Sequence, residues 1–206
     1  MLEKTVFTTV EQLQEELEKR VSKKRYLHSV GVAQTTEMLL EHYHCSNYEK
    51  TWNGFSAGYF CGISHDFARE MTDDQLVAYC RENGIPLTEE ELASPVITHG
   101  KVSAHLVRGL VGDYPESWVR AIDLHTVGDV DMDDLALALF AADFIEPTRV
   151  FLTNEKRAEY IAHDSLEGCV YHILCDMMEH WKNKGQFSAA QGSVRLRKQL
   201  EEKLGV

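Results

Sequence analysis

The chain has 206 residues, 44% of them apolar, which suits one ordinary domain with enough apolar surface to bury a core. A formal net charge of -12 argues against a surface for nucleic-acid polymers, which need a basic patch to displace counterions from phosphates. Five cysteines, scattered and never spaced C-x-x-C, argue against a disulfide framework and a thiolate zinc site and point to a reducing cytoplasm.

A small phosphorylated ligand remains open, because it needs only local positive charge or a metal. No stretch approaches the ~18 apolar residues of a membrane span. The opening MLEKTVFTTVEQ has acidic residues early and no apolar run, so no signal peptide and no membrane partner are expected.

Helical periodicity runs through most segments and strand-like alternation is nearly absent, so an all-α fold is expected. Thr9 to Gln12 reads as a capping box opening a first helix, with Val10, Leu13, Leu17 and Val21 on one face. A longer helix follows to about Tyr43 and places His28, Val32, Thr35 and Leu39 together. A lone imidazole on such a face is either a satisfied core group or a ligand. Ser46 to Glu49 reads as another capping box, opening a helix with Trp52, Phe55, Tyr59, Phe60 and Ile63 on its buried side. Gly54, Gly58 and Gly62 recur along it at i, i+4, i+8; they weaken a helix, and close approach of a second helix is a reason to tolerate them.

That helix ends in GYFCGISHDFARE, residues 58–70, which carries the adjacent pair His65-Asp66. An imidazole beside a carboxylate is a compact ligand pair for a transition metal, since the carboxylate can also bridge to a second ion. Thr72 to Gln75 opens a short helix stopped at Asn83-Gly84, and Thr88 to Glu91 caps another turn. Ser94-Pro95 then leads into Val96-Ile97-Thr98-His99-Gly100, with His99 placed close to backbone, while His105 reads as a non-ligand in an amphipathic segment.

Pro115 starts a helix ending in Leu124-His125-Thr126-Val127-Gly128, a further histidine beside a glycine loop. Asp131 is expected to cap the apolar helix 135–146, ended by Pro147. Asp143 sits inside that Ala/Leu run, where a carboxylate carries a heavy desolvation cost unless it is paired, hydrogen-bonded or metal-bound. Helices are expected at 154–161 and about 165–184, and the tail 192–206 reads as a helix able to dock on the domain. His163-Asp164 reads as structural, with Asp164 at a helix N-terminus. No repeat or linker interrupts the chain, so residues 1–206 read as a single domain.

The candidates His28, His65, Asp66, His99, His125 and Asp143 come from separate helices or helix ends, which is how bundles build metal sites in their cores. Nitrogen and oxygen donors without sulfur suit iron, manganese, cobalt, nickel or zinc in a catalytic site with open positions. Six donors exceed what one ion needs, which fits a dinuclear centre bridged by Asp66.

This order of residues resembles the HD-domain metal-dependent phosphohydrolases, an all-helical superfamily. RYLHSVGVA, GYFCGISHDFARE, ITHG, LHTVG and AADFIEPTR together resemble its YqeK-type branch, the symmetrical diadenosine tetraphosphate hydrolases of bacteria. The similarity covers residues 22–149 well and the tail loosely, so it implies an HD-domain core at 22–149 with C-terminal helices, 150–206, packing on it.

The resemblance implies a single helical bundle with a metal site in its core. It also implies hydrolysis of diadenosine tetraphosphate to two ADP by a hydroxide activated by two metals, iron foremost. His28, His65, Asp66 and Asp143 would hold one ion, and His99 with His125 the other, Asp66 bridging. Asp66 and Arg69 would be catalytic, Thr126 and Gly128 would line the nucleotide pocket, and Glu146 and Arg149 would stand near the substrate, Arg149 as a bidentate phosphate contact. A homodimer is implied too.

Two departures stand out. Arg69 occupies a position where the family usually has Lys, and a guanidinium is a poor proton donor. Lys101 follows Gly100 where a small residue or Pro is expected, as a phosphate contact or a solvated cation. Alternative readings are an HD-domain nucleotidase or other nucleotide phosphohydrolase with a different substrate, and a nucleotide-sensing module without turnover.

Overall fold

The computed structural model describes residues 6–183 and 191–206; the expected helix end at residue 184 and the first five residues lie outside them. Helix α1, Val10–Arg20, opens on the Thr9–Gln12 capping box and buries Leu13 and Leu17 completely. Helix α2, Lys23–His42, starts at Ser22, whose hydroxyl accepts from the Arg25 amide, and buries His28, Val32, Thr35 and Leu39.

Between residues 46 and 57 the backbone departs from the helix expected there. Thr51–Trp52 (β1) pairs antiparallel with Phe55–Ser56 (β2) across Asn53-Gly54. Both turn residues take positive φ, 47° and 86°, the conformation a two-residue hairpin demands and that Asn-Gly adopts at least cost. The capping-box spacing at Ser46 was outweighed by this turn. Helix α3 is therefore only Ala57–Ser64. Trp52, Phe55, Phe60, Tyr114 and Trp118 still pack together, with centroid separations of 5.1–6.4 Å, so the apolar residues reach the core by a different backbone route. Among the described residues this hairpin is the one sheet, and the fold is all-α.

Gly54 thus serves the turn, and the helix-to-helix approach rests on Gly62. A Cβ built there would lie 2.3 Å from the Ala33 Cα, so α2 and α3 meet backbone to backbone. This contact sets His28 and His65 side by side, with ring centroids 5.3 Å apart.

Helices α4 (Asp73–Glu82) and α5 (Glu89–Ala93) open on the expected capping boxes. A single 3-10 turn, Pro95–Thr98, runs straight into α6, His99–Val111, and α7 is Glu116–Leu124. Helix α8, Asp134–Ile145, lies in the centre with every residue from Leu135 to Ala142 buried; α2, α7 and α10 pack on it. Each buried leucine there stabilises the fold by about 2 kcal/mol. Its N-cap is Asp133, accepting from the Ala136 amide, while Asp131 sits in the preceding loop at φ 58°.

Helices α9 (Asn154–Ile161), α10 (Leu166–Asn183) and α11 (Gln191–Leu204) complete the described chain. Ser165 caps α10 by accepting from the Gly168 amide, and His163 stacks on His172 at 4.0 Å, so the second His-Asp pair belongs to this helix start. None of the described helices is long and apolar enough to cross a membrane.

Candidate metal centre

Three of the histidines stand at helix ends, and that placement fixes their chemistry. His65 follows α3, His99 follows the 3-10 turn and His125 follows α7. In each, the ring Nδ1 lies against the carbonyl three residues earlier: Gly62 at 2.7 Å, Val96 at 2.6 Å and Ile122 at 2.7 Å. Carbonyls of a final helical turn keep acceptor capacity to spare, so they accept from the ring. A carbonyl only accepts, so each Nδ1 carries the proton and each Nε2 presents a lone pair. His28, in the body of α2, reaches the same state differently: its Nδ1 donates to Glu146 Oε1 at 2.9 Å.

The four Nε2 atoms converge on Asp66 and Asp143. His28 Nε2 is 2.9 Å from Asp143 Oδ1, and His65 Nε2 is 3.3 Å from Asp66 Oδ2 and 3.7 Å from Asp143 Oδ1. On the other side of Asp66, Oδ1 lies 3.2 Å from His99 Nε2 and 3.9 Å from His125 Nε2. One carboxylate therefore turns one oxygen toward each pair of imidazoles. All six residues proposed from the sequence as ligands are brought together. Two overlapping sets have mutually close donors, His28/His65/Asp143 and His65/Asp66/His125, with His65 in both.

The cluster fits metal ions on its own geometry. His99 Nε2 and His125 Nε2 are 3.0 Å apart, and with both protons committed to carbonyls two lone pairs confront each other. His65 Nε2 is buried without a hydrogen-bond partner. Such contacts are costly unless a cation lies between the donors.

Until an ion takes its place, the carboxylates draw a second proton onto the His65 imidazole, and metal binding would release it. Burial opposes charge on His65, yet Asp66 and then Asp143 overcome it and raise its pKa to about 10. Burial would raise the Asp66 carboxyl, but His65 and then His99 hold it well below the carboxylate range. Asp143 is lowered likewise, against burial, by His28, His65 and Arg149. Burial, followed by charge on His65 and His99, pushes His125 down to about 3. The pocket keeps two carboxylates ionised and gathers positive charge around them.

A cleft of about 190 Å³ opens over the cluster, with Arg25, Arg69, Arg149, Val96 and Thr126 in its walls. Arg25 Nη1 donates to Asp66 Oδ2 at 2.8 Å, and Arg149 donates to Asp143 Oδ1 at 2.5 Å. Arg25 is not among the candidates drawn from the sequence; its signal is position, one helical turn before His28 and so on the same face. Thr126 Oγ1 is 3.2 Å from His125 Nε2, within the site.

Glu146 is fully buried and accepts from His28, the Thr148 amide and the Thr148 hydroxyl, so it orients a ligand and does not face the cleft. Gly128, at φ 66°, packs on α11 against Leu196 and Gly192, away from the cleft. Lys101 is neither solvated nor aimed at the cluster: it binds Glu91 at 2.6 Å and the Pro86 carbonyl at 3.2 Å.

The all-helical fold and the gathering of His, His-Asp and Asp in this order, in a cleft lined by arginines, support a hydrolase of phosphoric anhydrides. Within that class its sequence is similar to symmetrical bis(5'-nucleosyl)-tetraphosphatases. It is 27% identical to that of Halalkalibacterium halodurans over 164 residues, covering 79% of this chain and 81% of the relative. Identity is 27% to that of Bacillus subtilis, covering 66% and 68%, and 28% to that of Staphylococcus aureus, covering 75% and 75%. No family model matches the chain. The fold is similar to that of an HD superfamily hydrolase from Clostridium acetobutylicum described as involved in NAD metabolism. That likeness has a TM-score of 0.82 at 23% identity and covers 96% of this chain and 99% of the other.

Proposed function

We propose that this hydrolase cuts diadenosine tetraphosphate at its central anhydride, giving two ADP, with two transition-metal ions in the buried cluster. Iron is the first choice, and manganese, cobalt, nickel or zinc suit the same donors. The observation that carries the reading is the 3.0 Å approach of two imidazole lone pairs, His99 and His125, beneath a cleft walled by three guanidiniums. The substrate is supported by the three relatives named as symmetrical bis(5'-nucleosyl)-tetraphosphatases.

His28, His65, Asp66 and Asp143 would hold one ion, and His99 with His125 the other, Asp66 serving both. Ions held so supply Lewis acidity toward phosphoryl oxygens and bring the pKa of water toward neutrality. Arg149 and Arg25, anchored by Asp143 and Asp66, offer their remaining N–H groups to phosphate oxygens at the mouth of the cleft. Arg69 stabilises charge but gives up no proton at neutral pH. None is required: the departing ADP ends in a phosphate whose second pKa is about 6, so it leaves as an anion. Glu146 and the three helix-end carbonyls hold all four imidazoles in the ligating tautomer throughout.

The test is product analysis by chromatography after incubating the purified protein with diadenosine tetraphosphate and iron, manganese or cobalt. Two ADP are expected. AMP plus ATP would refute the symmetrical cut, and turnover of nucleoside monophosphates alone would make the protein a nucleotidase.

A further inference from the structure

We infer that one nucleoside of the substrate lies outside the metal cleft, in a second cavity between the start of α2 and the segment after α8, with its base on Phe151. This rests on a dinucleoside tetraphosphate being the substrate.

Space is the first argument. The cleft over the ligands measures about 190 Å³, below the ~300–1,000 Å³ usual for small-molecule sites, so it suits the phosphates better than a nucleoside. A cavity of about 600 Å³ adjoins it, within the ~300–1,000 Å³ usual for small-molecule sites. Arg25 and Arg149 line both, so the two spaces meet at the guanidiniums that face the phosphates.

The second argument is chemistry. In a chain of net charge -12 this cavity collects Lys23, Lys24, Arg25 and Arg149. Its carboxylates are turned to internal use: Glu70 accepts from the Ser22 amide and hydroxyl at 2.9 and 2.6 Å, and Glu146 from His28 and Thr148. The α2 N-terminus that supplies the lysines has no acid in its first turn. Phosphate charge is therefore met from one side. On the other, Leu27 and Phe151 are 47% and 61% exposed, an unusual outlay of apolar surface. The Phe151 ring is braced edge-to-face by Phe144 at 5.5 Å, which holds it ready as a flat platform. An exposed ring beside clustered cations matches a nucleotide, whose base stacks while its phosphates pair.

The experiment compares ADP with inorganic pyrophosphate, which has the charge but no base. By calorimetry, Phe151→Ala should weaken ADP binding roughly tenfold, the size of one base–aromatic stack, and leave pyrophosphate binding unchanged. In Phe151→Trp, ADP but not pyrophosphate should quench the new indole's emission. Unchanged ADP affinity in Phe151→Ala, or equal quenching by pyrophosphate, overturns the inference. So does loss of self-association in Phe151→Ala with ADP affinity retained, which would make the ring a contact between copies. The proposed function is judged separately: wild-type protein yielding two ADP while Phe151→Ala binds ADP normally would leave the activity and remove the base site. ADP binding through Phe151 in a protein that releases AMP and ATP would support the site and remove the symmetrical cut.

Discussion

Replacing Gly62 with Ala tests whether the backbone contact between α2 and α3 is what assembles the ligands. The added Cβ would stand 2.3 Å from the Ala33 Cα and 2.6 Å from its amide nitrogen, against the 3.4 Å at which ordinary contact begins. The helices must part by about 1 Å, because backbone atoms cannot rotate aside. Overpacking of this kind costs about 1–3 kcal/mol, and the rigidity of both partners places it at the upper end. Gly to Ala inside a helix returns about 1 kcal/mol, so a net loss of about 2 kcal/mol is expected. Gly58→Ala is the control: its Cβ would meet Glu37 at 3.1–3.2 Å, mostly a movable side chain, and the change should be near neutral. Urea denaturation measures the stability difference, and titration with Mn(II) under calorimetry measures the second consequence. Since α2 carries His28 and α3 ends on His65, the same shift should weaken metal binding at least tenfold. Wild-type stability together with wild-type metal affinity in Gly62→Ala would refute the reasoning.

Other substitutions probe the cluster directly. Asp66→Ala removes the carboxylate that faces all four imidazoles and should abolish both bound metal, by elemental analysis, and turnover; retained activity would sink the two-metal reading. Glu146→Gln takes the charge from the group that orients His28, and metal affinity should fall about 10–100-fold while the fold persists by circular dichroism. Acid should destabilise the chelated protein through His125. Burial and charge on His65 and His99 pull its pKa from 6.5 to about 3, so between those values the unfolded chain binds a proton that the native one excludes. That stability is present above pH 6.5 and is lost as pH falls, so the urea midpoint should drop between pH 7 and pH 5. His125→Asn should flatten the drop, and an unchanged slope would contradict it.

Where a feature depends on neighbours three or four residues apart, the amino-acid order was enough to read it. The capping boxes at Thr9, Thr72 and Thr88 close bonds to residues three positions on, and they formed as expected. Asn53-Gly54 is equally local, yet the cap spacing at Ser46 and the regularly spaced glycines point to a helix. The turn won because two consecutive positive φ angles suit Asn and Gly and few other residues. Asp131 and Asp133 differ by the same kind of margin: either could cap α8, and the loop's conformation chose.

The candidate ligands were legible as residues out of place, with His65, His99 and His125 at helix ends and Asp143 in an apolar run. Those positions already carry the tautomer, since the carbonyl each ring needs lies three residues back. What only the tertiary structure decided is everything spanning the chain. Glu146 supports His28, 118 residues away, through a hydrogen bond that has no signature in either segment. Arg25 entered the site by pairing with Asp66, and Gly128 left the cleft because α11 packs on it. Local rules set which atoms each residue can offer. Only the packing of α2, α3 and α8 determines which of those atoms meet, because beyond a helical turn or two, separation along the chain does not set distance in space.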